Sequence, residues 1–382
     1  MTRISQQERR GVLEKEKSMQ YVTLGKTGLK VSKVGLGGIP IQRSNVEEVK
    51  ALFQVLMDKG VNYVDTARGY TISEELIGEA LEENRDKFIL ATKSMSRTKD
   101  AMARDIEISL NNLRTDYIDL YQVHNPSMEN LDQVLAEGGA LEALLEAKAA
   151  GKIRHLGLTA HSLQVFERAL ALDWVETIMF PYNIVESQGE ELMKRCSEAN
   201  VAFIDMKPLA GGAIEDANLA LRYICANPDV TIVIPGMYSF DEVEQNLAAV
   251  EDSSPLTSEE HTKIKQIRDE LGTNFCRRCN YCQPCTAGIN ISGVFLFAGY
   301  LQRYDLGNWG YDRYQSLPVK ADACIQCGVC ETRCPYHLPI REMLKKCEKD
   351  FADFEKENYE SIEYEQKIIR TATSGTTHLS FC

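Results

Sequence analysis

The chain has 382 residues, of which 44% are hydrophobic and 26% charged, and its formal net charge is −13. This composition is typical of a globular protein with one large domain and a smaller one, and the acidic balance argues against a general nucleic-acid-binding protein. No apolar run approaches the roughly 18–20 residues that span a bilayer, and the polar N-terminus lacks the apolar core of a secretory signal. We therefore expect a cytoplasmic protein that binds neither nucleic acid nor membrane.

The predicted elements of the main part of the chain alternate. A hairpin is predicted over 20–33 and a short strand, ending in glycines, over Val34–Gly38. Seven further apolar strands follow, at 61–65, Phe88–Thr92, Tyr117–Val123, Ile153–Leu158, Val175–Phe180, Val201–Asp205 and Val230–Ile234. Helical patterns separate them, at 46–59, 73–84, 100–114, 138–150, 162–171, 188–199, 215–226 and 240–250.

This order predicts the fold class. Near-continuous apolar strands are typical of a parallel sheet that is buried on both faces. Eight strand–helix units in this length predict a (β/α)8 TIM barrel. The alternative, an open doubly wound sheet, lacks its glycine-rich phosphate turn.

Twelve cysteines are distributed unevenly along the chain. Eight of them form two tight runs, at Cys276–Cys285 and Cys324–Cys334. Disulfides explain such runs poorly where thiols stay reduced, so metal or cluster ligation is favoured. We predict a polar extension over 1–19, a barrel over 20–255, an iron–sulfur domain over 256–350 and an acidic, flexible tail over 351–382.

The C-terminal ends of the predicted strands carry the first functional signal. In a TIM barrel, reactive side chains lie at these ends. Three consecutive strands end in Asp65, Lys93 and His124, and Tyr70 follows the first of them on its loop. Taken alone, Asp65 is equally well explained as a helix cap, and a single lysine or histidine as a structural residue. Four such residues in register indicate one reactive site.

The segments around these residues resemble the aldo-keto reductase family over roughly residues 20–250. DTARGYTISEELIG, which begins at Asp65, is similar to the family signature DTAxxYGxSE, and Ala91–Lys93 and Leu120–Ser127 are similar to its lysine and histidine motifs. The resemblance implies a nicotinamide cofactor, a small-molecule carbonyl or alcohol substrate, and a catalytic tetrad of Asp65, Tyr70, Lys93 and His124.

The chemistry of carbonyl reduction explains these residue types. A hydride must reach the carbon, and a nicotinamide supplies it. A proton must reach the oxygen, and a free tyrosine is a poor proton donor at neutral pH. A lysine ammonium beside Tyr70 stabilises the phenolate, and Asp65 would hold Lys93 charged and oriented. His124 would orient the carbonyl oxygen.

The resemblance also implies contacts to the dinucleotide. Tyr182 would stack on the nicotinamide ring, and Thr159 and Asn183 would hold the carboxamide, although Thr159-Ala160-His161 replaces the family's usual Ser-Asn and Met179 its usual glutamine. The full implied set of cofactor contacts is Gly37, Asp65, Thr159, Asn183, Tyr182, Lys207, Leu209, Gly236 and Asn246.

The sequence also bears on the choice between NAD(H) and NADP(H). Members that use NADPH place cations around the adenosine 2′-phosphate, whereas this chain has Gly236, Met237 and Glu242 there. A carboxylate would repel the phosphate, so NAD(H) is favoured. The alternative is that a cation from elsewhere, such as Arg222, substitutes.

The second cysteine run, Cys324–Pro335, is a full C-x2-C-x2-C-x3-C-P. That spacing wraps three thiolates around one [4Fe-4S] cluster and sends the fourth to a neighbouring cluster. The first run is one residue shorter before its last cysteine, and Thr286 replaces the usual proline. Two runs with crossed fourth ligands predict two clusters, although a single cluster stays open. The expected ligand sets are Cys276, Cys279, Cys282 with Cys334, and Cys324, Cys327, Cys330 with Cys285.

The remaining features of this module are less specific. The apolar segment GVFLFAGYLQRY between the runs predicts a helical ferredoxin-like module. It resembles the C-terminal extension of one aldo-keto reductase subgroup. Cysteines outside the two runs are interpreted as structural or incidental, namely Cys196, Cys225, Cys347 and Cys382.

Three functions remain open at this point. The first is an oxidoreductase in which clusters and nicotinamide exchange electrons. Because a hydride carries two electrons and a cluster one, and no flavin motif is present, this requires a substrate radical or a partner such as a ferredoxin. The second is a reductase with structural clusters. The third is a non-catalytic barrel that serves as a docking or regulatory subunit.

Overall fold

The structure, a computed structural model, describes residues 19–374, and side chains as far as residue 358. The chain divides into two compact units between Asp269 and Glu270. Except for Met19, the predicted extension 1–19 lies outside the described residues, as does the end of the predicted tail with Cys382. Within the described part, no helix has both the length and the apolar character needed to cross a membrane.

The first unit begins with a hairpin and continues as a barrel. The hairpin consists of β1 (Tyr21–Thr23) and β2 (Lys30–Ser32), which pair antiparallel. The eight barrel strands are β3 (Leu36–Gly37), β4 (Tyr63–Asp65), β5 (Ile89–Ser94), β6 (Ile118–Val123), β7 (Ile153–Thr159), β8 (Thr177–Pro181), β9 (Ala202–Met206) and β10 (Ile232–Ile234).

The barrel closes between its first and last strands. Strands β3 to β10 pair in chain order, all parallel. The amide of Gly35 donates to the carbonyl of Val233 at 2.9 Å, and that of Gly37 to Pro235 at 2.8 Å. A Cβ on Gly37 would lie 2.8 Å from the carbonyl oxygen of Ile234, so the seam requires glycine there. The predicted TIM barrel is confirmed, and the open sheet is excluded.

Ten helices are described around the barrel. They are α1 (Val46–Asp58), α2 (Ser73–Leu81), α3 (Lys99–Asn112), α4 (Met128–Leu135), α5 (Ala140–Ala149), α6 (Leu163–Leu170), α7 (Glu190–Glu198), α8 (Ala217–Cys225), α9 (Phe240–Glu251) and α10 (Ser258–Gly272). Helix α1 illustrates why they form, since Asn45 and Glu48 make a capping box and the buried residues of the helix recur at helical spacing.

The hairpin positions the site by filling one end of the barrel. Leu24 and Val31 from the hairpin share a buried cluster with inward-facing strand residues such as Tyr63, Leu120 and Ala202. These strand residues belong to the N-terminal halves of their strands. The opposite end, where the strands terminate, is therefore the end available for a site.

Helix α10 belongs largely to the first unit, which reaches Asp269 rather than the predicted 255. The buried Arg222 on α8 pairs with Glu260 on α10 and with Asp252, 3.0 Å away. Arg268 donates to the carbonyl of Ile184 at 2.8 Å. These contacts tie α10 to the barrel, and they occupy the guanidinium of Arg222.

The second unit is helical, as predicted. Its helices are α11 (Ile291–Arg303), α12 (Gly307–Gln315), α13 (Val329–Arg333) and α14 (Ile340–Ser374). Tyr314 stacks on Phe351 with ring centroids 3.8 Å apart. Because Phe351 is buried in the core of this unit, α14 continues without a break past 350, where the sequence predicts the tail to begin.

Candidate active site and cysteine cavities

A buried ion pair lies where two neighbouring barrel strands end. Asp65 is the last residue of β4 and Lys93 is the last but one of β5, and their side chains are 4% and 2% exposed and bonded to each other. Lys93 Nζ also donates to the carbonyl of Thr66 at 2.7 Å. Burial raises the pKa of Asp65 and lowers that of Lys93, while the charge of each opposes the shift of the other. Contact between the two groups therefore favours the charged form of each, against the effect of burial.

Tyr70 and His124 complete this group. The ammonium of Lys93 lies 5.0 Å from the centroid of the Tyr70 ring. The rings of Tyr70 and His124 are 6.2 Å apart and nearly perpendicular. The amide of His124 donates to the carbonyl of Ser94 at 2.9 Å, which fixes it directly after β6. The structure thus brings together all four residues of the predicted tetrad.

Two supporting side chains were not predicted. Gln122 Nε2 donates to Asp65 Oδ1 at 3.0 Å. Glu74, on α2, is buried and accepts from Thr92 and Arg68, both at 2.7 Å. Gln122 could have been found from strand periodicity, because it lies two residues before His124 and side chains two apart share a face.

Three residues that are predicted to contact the carboxamide or the nicotinamide ring make hydrogen bonds or packing contacts within the protein. Thr159 Oγ1 accepts from the amide of Asn125 at 2.9 Å. Asn183 is buried and satisfied on both sides, since its oxygen accepts two main-chain amides and its nitrogen donates to Glu186 and Lys207. Tyr182 is 3% exposed and stacks on Tyr223. The structure places Tyr182 and Asn183 in internal packing.

The other predicted cofactor residues lie at the same ends of the strands. Gly37 and Gly236 form a parallel bridge at the barrel seam. Lys207 follows β9 with a positive φ of 60°, Leu209 is two residues further along the same loop, and Asn246 is buried on α9. Near them, Glu242 completes a capping box with Ser239 at the start of α9. Its carboxylate is thereby fixed at this helix end.

Two cavities in the second unit are each lined by four cysteines. Cys276, Cys279, Cys282 and Cys334 line the first, and Cys285, Cys324, Cys327 and Cys330 line the second. Each cavity therefore takes three cysteines from one run and the last cysteine of the other. Among the described residues, no three His, Cys, Asp or Glu side chains converge on a position for a single metal ion.

The environments of the two cavities differ. Burial raises the pKa of Cys276 to about 11 and that of Cys282 to about 12, so the thiolates that a cluster requires need compensating positive charge. In the second cavity Cys327 is exposed, and its Sγ lies 3.7 Å from the hydroxyl of Thr286. The main-chain amide of Val329, and next Thr286, lower the pKa of Cys327. Thr286 thus contacts a predicted ligand from the position usually held by proline.

Comparison with known proteins agrees with this arrangement. Residues 33–219 and 215–269 match the aldo/keto reductase family, and residues 275–339 match a 4Fe-4S dicluster domain. An L-galactose dehydrogenase of Arabidopsis thaliana is 28% identical over 294 residues, covering 63% of this chain and 90% of that protein. A probable voltage-gated potassium channel subunit beta of the same plant is 25% identical over 316 residues, covering 65% and 96%.

A solved structure supports the same assignment. The holo form of an aldo-keto reductase from Bacillus halodurans superposes with a TM-score of 0.57 at 27% identity, covering 65% of this chain and 96% of that one. The family match extends over more than half of the chain, and the closed barrel agrees with it. The chain belongs to the aldo/keto reductase family of oxidoreductases and carries a C-terminal 4Fe-4S dicluster domain.

Proposed function

We propose that the barrel catalyses reversible hydride transfer between a nicotinamide cofactor and a small carbonyl or alcohol substrate. The observation that carries this proposal is the buried Asp65–Lys93 pair, whose ammonium lies 5.0 Å from the Tyr70 ring, with His124 beside that ring. Membership of the aldo/keto reductase family supports it. When bound, the nicotinamide supplies or accepts the hydride.

The chain's own residues handle the proton and the oxygen. In the reductive direction, Tyr70 gives its phenolic proton to the substrate oxygen, and the Lys93 ammonium stabilises the phenolate that remains. Asp65 keeps Lys93 charged in a site that would otherwise favour the neutral amine, and Gln122 holds the second carboxylate oxygen. His124 orients the carbonyl oxygen and shares its developing charge.

Tyr70→Phe tests this mechanism. Loss of the proton donor should lower kcat for carbonyl reduction by roughly 10²- to 10⁴-fold, the range for general acid catalysis, and leave dinucleotide binding nearly unchanged. Both are measured with a panel of aldehydes, by steady-state kinetics and by fluorescence titration with NADH.

Tyr117→Phe is a suitable control, because Tyr117 precedes β6 at the opposite end of the barrel and packs against Arg85 and Arg154. Equal activity of the Tyr70 variant and this control would refute the role of Tyr70.

We propose that the two cysteine cavities hold two [4Fe-4S] clusters with the crossed ligand sets. The cavity linings and the match to a dicluster domain support this. When bound, such clusters supply one-electron storage, with potentials set partly by hydrogen bonds to sulfur. We propose an electron-transfer role with a ferredoxin-like partner, and the alternative is a structural role.

We also propose that the cofactor is NADH. The Glu242 carboxylate is fixed at the N-terminus of α9 by hydrogen bonds from the amides of Tyr238 and Ser239. From the family resemblance we expect the adenosine 2′-position near this residue. The cation considered as a substitute, Arg222, is already bonded to two carboxylates.

A second candidate is a regulatory subunit with a non-catalytic barrel. The observation that favours it is the similarity to a probable potassium channel subunit beta. The assembled tetrad favours the enzyme instead. The same aldehyde panel separates them, because a non-catalytic barrel would turn over none of the aldehydes before or after substitution of Tyr70.

A further inference from the structure

Arg97 is a half-buried cation beside His124. It lies on the loop between β5 and α3, four residues after Lys93, and its Nη2 donates to the main-chain carbonyl of His124 at 2.7 Å. Its Nη1 is buried and has no hydrogen-bond partner among the described residues. Burial lowers the pKa of Arg97 to about 10. The loop itself is fixed, because the amide of Ala140 donates to the carbonyl of Arg97 at 3.0 Å.

Several other arginines of this unit pair with carboxylates. Arg85 pairs with Asp119, Arg222 with Asp252 and Glu260, and Arg68 with Glu74. No carboxylate lies within ion-pair distance of Arg97 among the described residues. A buried charge normally has a partner, because removing it from water is costly.

The nearby acid does not supply that partner. Asp105 accepts hydrogen bonds from Ser94 and Ser96, and the only arginine within 4.0 Å of it among the described residues is Arg68. Arg97 thus has a guanidinium nitrogen without a partner in the described part of the chain and lies beside the residues of the candidate active site. It is therefore suited to bind an anion from outside the chain.

We propose that Arg97 binds an oxoanion carried by the substrate, so that the substrate class is a carbonyl compound, or the corresponding alcohol, that bears a carboxylate. A guanidinium presents its donors in a fork that matches a carboxylate. The contact with the carbonyl of His124 leaves Nη1 for this purpose and places the fork next to the residue proposed to orient the reacting oxygen. This inference rests on the proposed reductase function.

Matched pairs of substrates test the proposal. We compare kcat/KM for 4-carboxybenzaldehyde with 4-methylbenzaldehyde, and for pyruvate with butanone, so that the carboxylate is offered at two distances. The unsubstituted protein should prefer the anion in at least one pair. Arg97→Met should lower that ratio by about 10- to 100-fold, the range for a lost hydrogen bond to a charged group, and Arg97→Lys should retain part of it.

The control is Lys99→Met, which removes a neighbouring positive charge that is exposed and already paired with Glu142 and Glu146. An equal loss of preference in this variant would show a general charge effect and overturn the proposal. A rise in KM for NADH in the Arg97 variant, with no change in the substrate ratio, would assign the anion to the cofactor and also overturn it. Equal kcat/KM for the anionic and the neutral substrate in both pairs would also overturn the proposal.

Binding gives a second measurement that does not need turnover. In the Tyr70→Phe background, we titrate 4-carboxybenzaldehyde by calorimetry with and without Arg97→Met. Saturable binding that weakens about tenfold or more on loss of Arg97 supports the anion site even if no aldehyde is reduced, whereas equal binding refutes it. Failure of the reductase function and failure of the anion site are thereby distinguished.

Discussion

Asp205 and Asp119 are two buried acids of the barrel sheet with opposite surroundings. Asp119 accepts from Arg85 at 2.8 Å and from Arg154 at 2.9 Å. Asp205 accepts only the amide of Tyr182, and its second oxygen is buried without a partner among the described residues. Burial, reinforced by the charge of Glu186, raises the pKa of Asp205 well above its usual value. Burial therefore disfavours the charged form of Asp205 in the folded protein.

Asp205→Asn should stabilise the barrel increasingly as pH rises. The unfolded chain loses the Asp205 proton near pH 4, whereas the raised pKa of Asp205 makes the folded chain lose it only at higher pH, so folding becomes less favourable above pH 4. The amide has no such proton to lose. The stability difference between variant and unsubstituted protein should grow by up to about 1.4 kcal/mol per pH unit, as measured by thermal unfolding at pH 5, 6 and 7.

Asp119→Asn is the matched comparison. Removing a buried carboxylate that is paired with two arginines should cost about 3–5 kcal/mol. Stabilisation by both substitutions, or by neither, would contradict the difference in their environments.

The sequence predicts that Asp65, Lys93 and His124 come together because each lies at or beside the C-terminal end of a strand. A barrel brings successive strand ends together. The sequence did not predict that Tyr182 stacks on Tyr223 or that Asn183 donates to Lys207. These partners lie in other elements and are brought near only by packing. Arg97 carries no motif, and only its unpaired nitrogen distinguishes it.

At the scale of the element, helix α9 carries an acidic residue that bears on helix stability and on the proposed preference for NADH. Glu242 caps the helix, and an acidic group at a helix N-terminus is stabilising. Glutamine can serve in the same capping box. Glu242→Gln therefore removes the charge while it preserves the cap.

We expect Glu242→Gln to raise the ratio of kcat/KM for NADPH to that for NADH by about tenfold, because removal of a like charge near a phosphate is worth on the order of 1 kcal/mol or more at a protein surface. Asp241→Asn is the control, since it removes the same charge one residue away from an exposed position. If both variants shift the ratio equally, Glu242 has no specific role.

The helices and strands were predicted well where the apolar pattern continued over many residues. Strands β5 to β9 fall within two residues of their predicted bounds. Helix α4 was missed because it is short and follows a loop, and its capping by Ser127 gives a weak signal. The first compact unit extends to Asp269, because the ion pairs of Arg222 join segments that are distant in sequence.

At the scale of the molecule, each unit has its own buried core, and the two cysteine runs belong to the second unit. The clusters are tested by anaerobic purification and by counting iron and sulfide. We expect about eight of each per chain, and Cys282→Ser should lose about four of each. Cys347→Ser should lose none, although Cys347 is as buried as Cys282, at 7% against 8%, because Cys347 lines neither cavity.

Spectral titration of the same preparations with NADH and with reduced ferredoxin distinguishes an electron-transfer role of the clusters from a structural role. Bleaching of the cluster absorbance supports the electron-transfer role. Clusters that stay oxidised throughout turnover would show that they are structural. A loss of iron in the Cys347 variant equal to that in the Cys282 variant would contradict the ligand sets.

The unequal exposure of the two cavities has a consequence for handling the protein in air. Cys282 and Cys334 are buried, whereas Cys327 is exposed, and oxidative attack on cysteine follows its accessibility. A cluster held by Cys327 would be degraded first by oxygen, and the buried one would survive longer. A preparation made in air would then contain about four iron atoms per chain, half of the number that the two proposed clusters require.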